Sequence, residues 1–211
     1  MIVGITGMKG SGKDTAVDAY SWFFPKGMVR VKFAGPLKRM ARHIFDLSEA
    51  EVDGPLKDMP LKKYSRGIDM DAFIKRMAGQ TGLDIQPRNL IAFTPRQVLQ
   101  YFGTDYVRTC DPNYWLDKFK SHVRSTPRGT MVFATDMRFS NELGCISELG
   151  AELGVGSTTL RIERPGHDTL DTHQSEREIR DLPVDHVVIN DRTPVHLAME
   201  LACTVGKFQK Q

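Results

Sequence analysis

Residues 7–15 carry the clearest chemistry in this chain of 211 residues. Gly7-Met8-Lys9-Gly10-Ser11-Gly12-Lys13-Asp14-Thr15 follows a short apolar run and opens a helical pattern. Glycines at 7, 10 and 12 let the backbone curl until successive N–H groups point at one spot, which suits phosphate oxygens. A helix starting at Lys13 adds unsatisfied N–H groups and the positive end of its dipole. Lys13 supplies a mobile charge for the bridging and terminal phosphates. Lys9, Ser11 and Thr15 belong to the same cradle, and the expected ligand is ATP. The strict pattern places Ser or Thr straight after the lysine to hold Mg²⁺; here Asp14 stands there. Asp14 can hold a metal-bound water, while Thr15 can donate to a phosphate.

A second acid closes another apolar run, Thr130-Met131-Val132-Phe133-Ala134-Thr135-Asp136. Ligands of open α/β sheets sit at the carboxyl ends of strands. Asp136 is therefore expected to face the loop, to bind Mg²⁺ through water or to take a proton. Arg138 is expected to contact the transferring phosphate. Together with Lys13 they form the candidate catalytic set. The alternative is a strand-end cap and a surface charge.

The stretch from Thr94 to Thr109 reads as a helix. Thr94 caps it, Pro95 suits its first turn and Gln97 completes a capping box. Val98, Phe102 and Tyr106 recur every four residues and should face a core. Arg96, Gln100, Thr104 and Arg108 recur on another face. Arginine forks suit phosphate and an amide can read a base edge, although a solvated polar face has the same spacing. Tyr101 and Trp115 can stack on a base or fill the core. Farther on, Arg164, Arg177 and Arg180 lie in a charged stretch where a closing lid would sit, with a surface helix as the alternative. His167 and His173 lack metal-ligand spacing.

The elements that must hold these residues alternate. Strands are expected at Ile2 to Thr6, Met28 to Ala34, Thr130 to Ala134, Thr158 to Glu163 and His186 to Asn190. Helices are expected at Lys13 to Phe24, Pro36 to Phe45, Tyr114 to Arg124, Ser140 to Leu149 and Pro194 to Gly206, with a shorter one at Asp71 to Ala78. This pattern implies a three-layer α/β/α domain around a parallel, roughly five-stranded sheet. The single domain would span 1–211, with 46–93 as an inserted, less regular segment on the substrate side and 164–182 as the lid. A net charge of +3 is mild for a nucleic-acid binder, and the charges are dispersed. Three separated cysteines show neither disulfide nor metal spacing. No apolar run is long enough to span a membrane, and no secretory signal precedes the first strand. A cytoplasmic protein with a small-molecule substrate, binding neither nucleic acid nor membrane, is expected. Oligomeric state is left open, a homodimer included.

With these residues in hand, the chain resembles the deoxynucleoside monophosphate kinases of tailed bacteriophages. The likeness rests on Gly7 to Thr15, Phe33-Ala34-Gly35-Pro36-Leu37-Lys38, Thr94 to Asp105 with Arg108 and Trp115, Thr135 to Glu142, His173-Gln174-Ser175-Glu176, and Asp185 to Asn190. The resemblance implies transfer of the ATP γ-phosphoryl group to a deoxynucleoside 5′-monophosphate with Mg²⁺. If phage-encoded, the enzyme would work in the host cytoplasm. Lys38, Arg96, Gln100, Arg108 and Trp115 would then face the acceptor. Ser140 stands where the family is expected to have proline, and it can cap the next helix. Animal phosphomevalonate kinases look similar in the same blocks, so an isoprenoid phosphate is the alternative acceptor. A loop that binds nucleotide without transferring phosphate is the third reading. Base preference and ribose discrimination are not legible.

Overall fold

A computed structural model of the chain describes residues 1–166 and 179–206, with the backbone alone over 76–81. In chain order the elements are β1 (Ile2–Thr6), α1 (Lys13–Phe23), β2 (Met28–Arg30), α2 (Ala34–Ile44), α3 (Glu49–Val52), β3 (Ile68–Asp69), α4 (Met70–Thr81), β4 (Ile91–Ala92) and α5 (Pro95–Gln100). A π-helix (Tyr101–Arg108) continues α5; α6 (Tyr114–Arg124), β5 (Met131–Ala134), α7 (Ser140–Leu153), β6 (Ser157–Glu163), β7 (His186–Ile189) and α8 (Pro194–Gly206) follow. The chain divides into two compact units, one of Met1–Phe33 with Phe119–Gln211 and one of Ala34–Lys118.

The first unit is a parallel five-stranded sheet in the order β2-β5-β1-β6-β7. Every residue of β1 is buried, which its Ile-Val-Gly-Ile-Thr composition favours in a central strand. Successive strand residues point to opposite faces. Val3 and Ile5 pack with Ala16, Val17, Leu197 and Leu201 of α1 and α8. Gly4 points the other way, where an added Cβ would lie 3.0 Å from Ile146 of α7. Helices therefore cover both faces, and the three-layer α/β/α expectation holds. Each fully buried aliphatic or aromatic side chain in such a core stabilises it by about 1.5–3 kcal/mol.

The second unit has its own core around Phe45, Met70, Val98, Phe102, Tyr106 and Trp115. Two-residue β3 and β4 pair antiparallel, Ile68 with Ala92 and Asp69 with Ile91. The Thr94 expectation is met on both sides: its hydroxyl accepts the Gln97 N–H at 3.2 Å, and Gln97 Oε1 accepts the Thr94 N–H at 3.2 Å. From Tyr101 the helix widens to π geometry. Period-four spacing overshoots the 3.6-residue α turn and falls short of a turn closed by i→i+5 bonds. The two drifts offset, so Val98, Phe102 and Tyr106 stay on one buried face.

Tyr106 donates its hydroxyl to Asp71 Oδ1 at 2.5 Å, and the amides of Arg88 and Asn89 donate to the same carboxylate at 2.9 and 2.8 Å. Partial burial works to raise the Asp71 pKa, but these three hydrogen bonds outweigh it and hold the carboxyl below its ordinary value. Burial, then the Asp71 bond and charge, push the Tyr106 hydroxyl far up. A carboxyl depressed in the folded state adds stability above its unfolded value, about 3.9, and loses it as pH falls through the lower folded value. Tyr106→Phe should cost about 1–2 kcal/mol at pH 7 and weaken the loss of stability below about pH 4. Urea unfolding at several pH values checks both; an unchanged midpoint at pH 7 counts against the network.

Candidate active site

The loop follows β1, the middle strand, and enters α1 at Lys13. Gly7, Gly10 and Gly12 all hold positive φ, 145°, 79° and 100°. At Gly7 a Cβ would lie 2.4 Å from the Ile162 carbonyl oxygen, and at Gly12 one would lie 2.4 Å from Asn190 Nδ2. Conformation and close approach both demand glycine there. Lys13 folds back over the loop, and Nζ donates to the carbonyls of Gly7 at 2.5 Å and Met8 at 2.8 Å. The first-turn N–H groups of α1 have no intrahelical acceptor. Dipole, backbone N–H groups and ammonium thus gather on one concave surface, which suits a polyphosphate.

A cavity of about 600 Å³ opens from the loop. Gly12, Lys13, Asp14 and Thr15 form one wall, and Asn190, Asp191, Arg192 and Pro194 line it elsewhere, with Arg164. That volume lies within the range of small-molecule sites. Asn190 ends the Asp185 to Asn190 block, whereas Asp191 and Arg192 carry no motif in the sequence. Asn190 Nδ2 donates to the Ser11 carbonyl at 2.8 Å and so braces the loop from the end of β7. Asp185 fastens the other end of β7, accepting the Thr159 N–H at 2.7 Å and its hydroxyl at 2.9 Å. Both residues belong to the Asp185 to Asn190 block.

Asp14 projects from the first turn of α1 toward the ends of β2 and β5. Its Oδ1 accepts from Thr135 Oγ1 at 2.9 Å and pairs with Lys32 at 3.0 Å and Arg30 at 3.4 Å. Burial works to raise its pKa, but the Lys32 charge and hydrogen bond, the Thr135 hydroxyl and Arg30 outweigh it and keep the carboxyl below its usual value. Asp136 follows Thr135, and its Oδ1 accepts the Phe33 N–H at 2.9 Å. It therefore caps the end of β2, which explains why that strand stops at Arg30 rather than Ala34. Asp14 and the Thr135-Asp136 pair gather where β5 ends. Among the described residues no group of three or more His, Cys, Asp or Glu side chains forms. The donor set fits Mg²⁺, which takes one or two carboxylates, keeps several waters and shares phosphate oxygens.

Glu142 is 2% exposed, and its Oε2 accepts the N–H groups of Arg138 at 2.7 Å and Phe139 at 3.3 Å. This sets the turn that presents Arg138. It also corrects the expectation for Ser140, which is the first helical residue rather than the cap. Arg164 and Arg180 line a second cavity, of about 440 Å³, together with Met8, Ser11 and Arg161. Arg161 Nη1 donates to the carbonyls of Arg180 at 3.0 Å and Leu182 at 3.1 Å, tying down the far end of the charged stretch. Arg177, His167 and His173 lie outside the described residues.

The remaining candidates belong to the second unit. Lys38 pairs with Asp53, and Arg96 pairs through its fork with Asp58. Gln100, Thr104 and Arg108 are half-buried on one side of the α5–π helix. Trp115 is placed differently from the base-stacking expectation. It is 1% exposed, donates Nε1–H to the Gly103 carbonyl at 2.9 Å and meets the Phe102 and Tyr114 rings edge-on. It is a core residue, because its polar atom is satisfied and both neighbours cover its ring.

A family model described as deoxynucleotide monophosphate kinase matches residues 83–200. A protein of Acanthamoeba polyphaga mimivirus, provisionally named deoxynucleotide monophosphate kinase, is 31% identical over 208 residues, which cover 92% of this chain and 90% of that protein. Deoxynucleotide monophosphate kinase of Enterobacteria phage T4 is 23% identical over 239 residues, covering 90% and 92%. Among solved structures, the tunicamycin resistance protein of Deinococcus radiodurans aligns over 97% of this chain and 95% of its own, with a TM-score of 0.46 and 11% identity.

Proposed function

The chain belongs to the deoxynucleotide monophosphate kinase family, and from that premise we propose that it transfers the γ-phosphoryl group of Mg²⁺-bound ATP to a deoxynucleoside 5′-monophosphate, giving the diphosphate. The single observation that carries this reading is the Gly7–Thr15 cradle at the β1–α1 junction, with Lys13 Nζ folded over its carbonyls. That cradle lies outside residues 83–200, so loop and family match support the reading from different stretches of chain.

On this reading the loop N–H groups bind the β- and γ-phosphates, and Lys13 exchanges two carbonyls for phosphate oxygens. The 190–194 stretch walls the nucleoside end of ATP. Asp14 and Asp136 would hold Mg²⁺. When bound, the ion neutralises charge on the bridging and transferring oxygens. Lys38, Arg96, Gln100 and Arg108 hold the acceptor. Arg138, with Arg164 and Arg180, follows the transferring group. The acceptor oxygen is already anionic, so no strong base is required; positioning and charge neutralisation supply the rate.

The test is release of ADP from ATP and Mg²⁺ over a panel of deoxynucleoside monophosphates, their ribose counterparts and phosphomevalonate. Turnover with at least one deoxynucleotide, abolished by EDTA, is expected. A site that merely tolerates an added hydroxyl discriminates about 10²-fold, so ribonucleotides should turn over slowly. Turnover with phosphomevalonate alone would overturn the reading.

A further inference from the structure

Resting on that assignment of the acceptor site, one feature of the second unit bears on how tightly acceptors bind. Three acids of a single short stretch each pair with a cation on a neighbouring helix: Glu49 with Arg42, Asp53 with Lys38, and Asp58 with Arg96. Lys38 and Arg42 stand one turn apart on α2, and Arg96 lies in the first turn of α5. Helices α2, α3 and α5 pack against one another. Arg96 is held by main chain and side chain alike. Its main-chain N–H donates to the Lys57 carbonyl at 2.9 Å, and its fork takes both carboxylate oxygens of Asp58, with Nη2 to Oδ2 at 3.2 Å.

In both relevant pairs the cation is the covered partner and the acid the exposed one. Side-chain exposure is 14% for Lys38 against 42% for Asp53, and 21% for Arg96 against 54% for Asp58. A covered cation with an outward counter-ion can change partners without repacking. A carboxylate on an arginine fork also makes the same paired bonds that a phosphate makes. Exposed ion pairs of this kind shift an equilibrium by about five-fold or less. A phosphate dianion with added contacts can displace them, and one without such contacts gains little.

We propose that Asp53 and Asp58 set the affinity threshold of the acceptor site by occupying Lys38 and Arg96 in place of phosphate. They withhold the two cations from small anions such as inorganic phosphate and release them to a monophosphate whose nucleoside adds binding of its own. The Arg42–Glu49 pair only fastens α3 to α2, and it serves as the control.

The experiment measures competitive inhibition by inorganic phosphate against the deoxynucleotide acceptor, with acceptor KM and kcat, in Asp53→Asn, Asp58→Asn, the double variant and Glu49→Gln. Each single change should lower the phosphate inhibition constant about three-fold and the double change about ten-fold, following the size of exposed pairs. Acceptor KM should fall by a similar factor, because both anions displace the same pairs, kcat should hold within about two-fold, and Glu49→Gln should match the parent. An unchanged inhibition constant in folded single variants would overturn the proposal. So would a rise in acceptor KM that Asp58→Glu rescues, since the acids would then position the cations rather than compete for them. If the parent turns over no deoxynucleotide, the activity reading fails on its own. Calorimetric titration of inorganic phosphate into parent and double variant then decides the proposal, with tighter binding in the variant as the expected result and equal binding as the contrary one.

Discussion

Replacing Lys13 with alanine should lower kcat at least about 10²-fold, the usual cost of losing one preorganised charge donor beside a reacting centre. The magnitude follows from where the ammonium sits. Nζ lies against the Gly7 and Met8 carbonyls, at 2.5 and 2.8 Å, so it is held on the concave side of the loop before any nucleotide arrives. Charge building on the bridging oxygen during transfer then meets a cation already held at the loop, which has exchanged its carbonyl partners for phosphate oxygens on binding. Lys13→Arg should rescue little, because a planar fork cannot replace a compact ammonium between two carbonyls. Steady-state kinetics with a thermal melt separates this from unfolding. Turnover within about ten-fold of the parent in a folded variant would remove Lys13 from the catalytic set.

Trp115→Ala should destabilise the second unit by about 3–5 kcal/mol, the range for emptying a large aromatic from a core. The indole is 1% exposed and its N–H donates to the Gly103 carbonyl, so the change leaves a cavity and removes that hydrogen bond. Trp115→Phe keeps part of the volume and should recover about half of the loss. Denaturant unfolding measures the effect, and acceptor KM measured in Trp115→Phe should stay near that of the parent. Parent-like stability in Trp115→Ala with a raised acceptor KM would return Trp115 to the base-stacking role.

Much of the first unit was legible because its signals are local. Gly7, Gly12 and Lys13 sit between an apolar run and a helical one, the order that a phosphate-binding turn takes. In the second unit, Thr94 and Gln97 likewise spell out a cap whose two halves are both formed. The second strand was read too long. Val29 and Val31 suggest continuation, but Asp136, distant in sequence, takes the Phe33 N–H and ends the ladder. Pro36 is tolerated within the first turn of a helix, so α2 could begin at Ala34, ahead of it.

The second unit hid more. Two-residue β3 and β4 are too short to show alternation. Spacing of four in Val98, Phe102 and Tyr106 was the visible trace of the π turn, yet helices usually drift from a period of four only slightly, and it passes for an α pattern. Trp115 could not be sorted from spacing, because a core ring and a stacking platform look alike until the partner of the indole N–H is known. The pairing of Asp53 and Asp58 with Lys38 and Arg96 had no sequence signal beyond charge.

The most direct measurement is the fate of the γ-phosphoryl group. ATP labelled at the γ position, Mg²⁺ and the preferred deoxynucleoside monophosphate would be incubated with the protein and the products separated. The account predicts label in the β-phosphate of the deoxynucleoside diphosphate, at the rate of ADP release and lost with Lys13→Ala. Label recovered only as inorganic phosphate, with the monophosphate unchanged, would contradict it and leave a nucleotide-binding loop without a kinase.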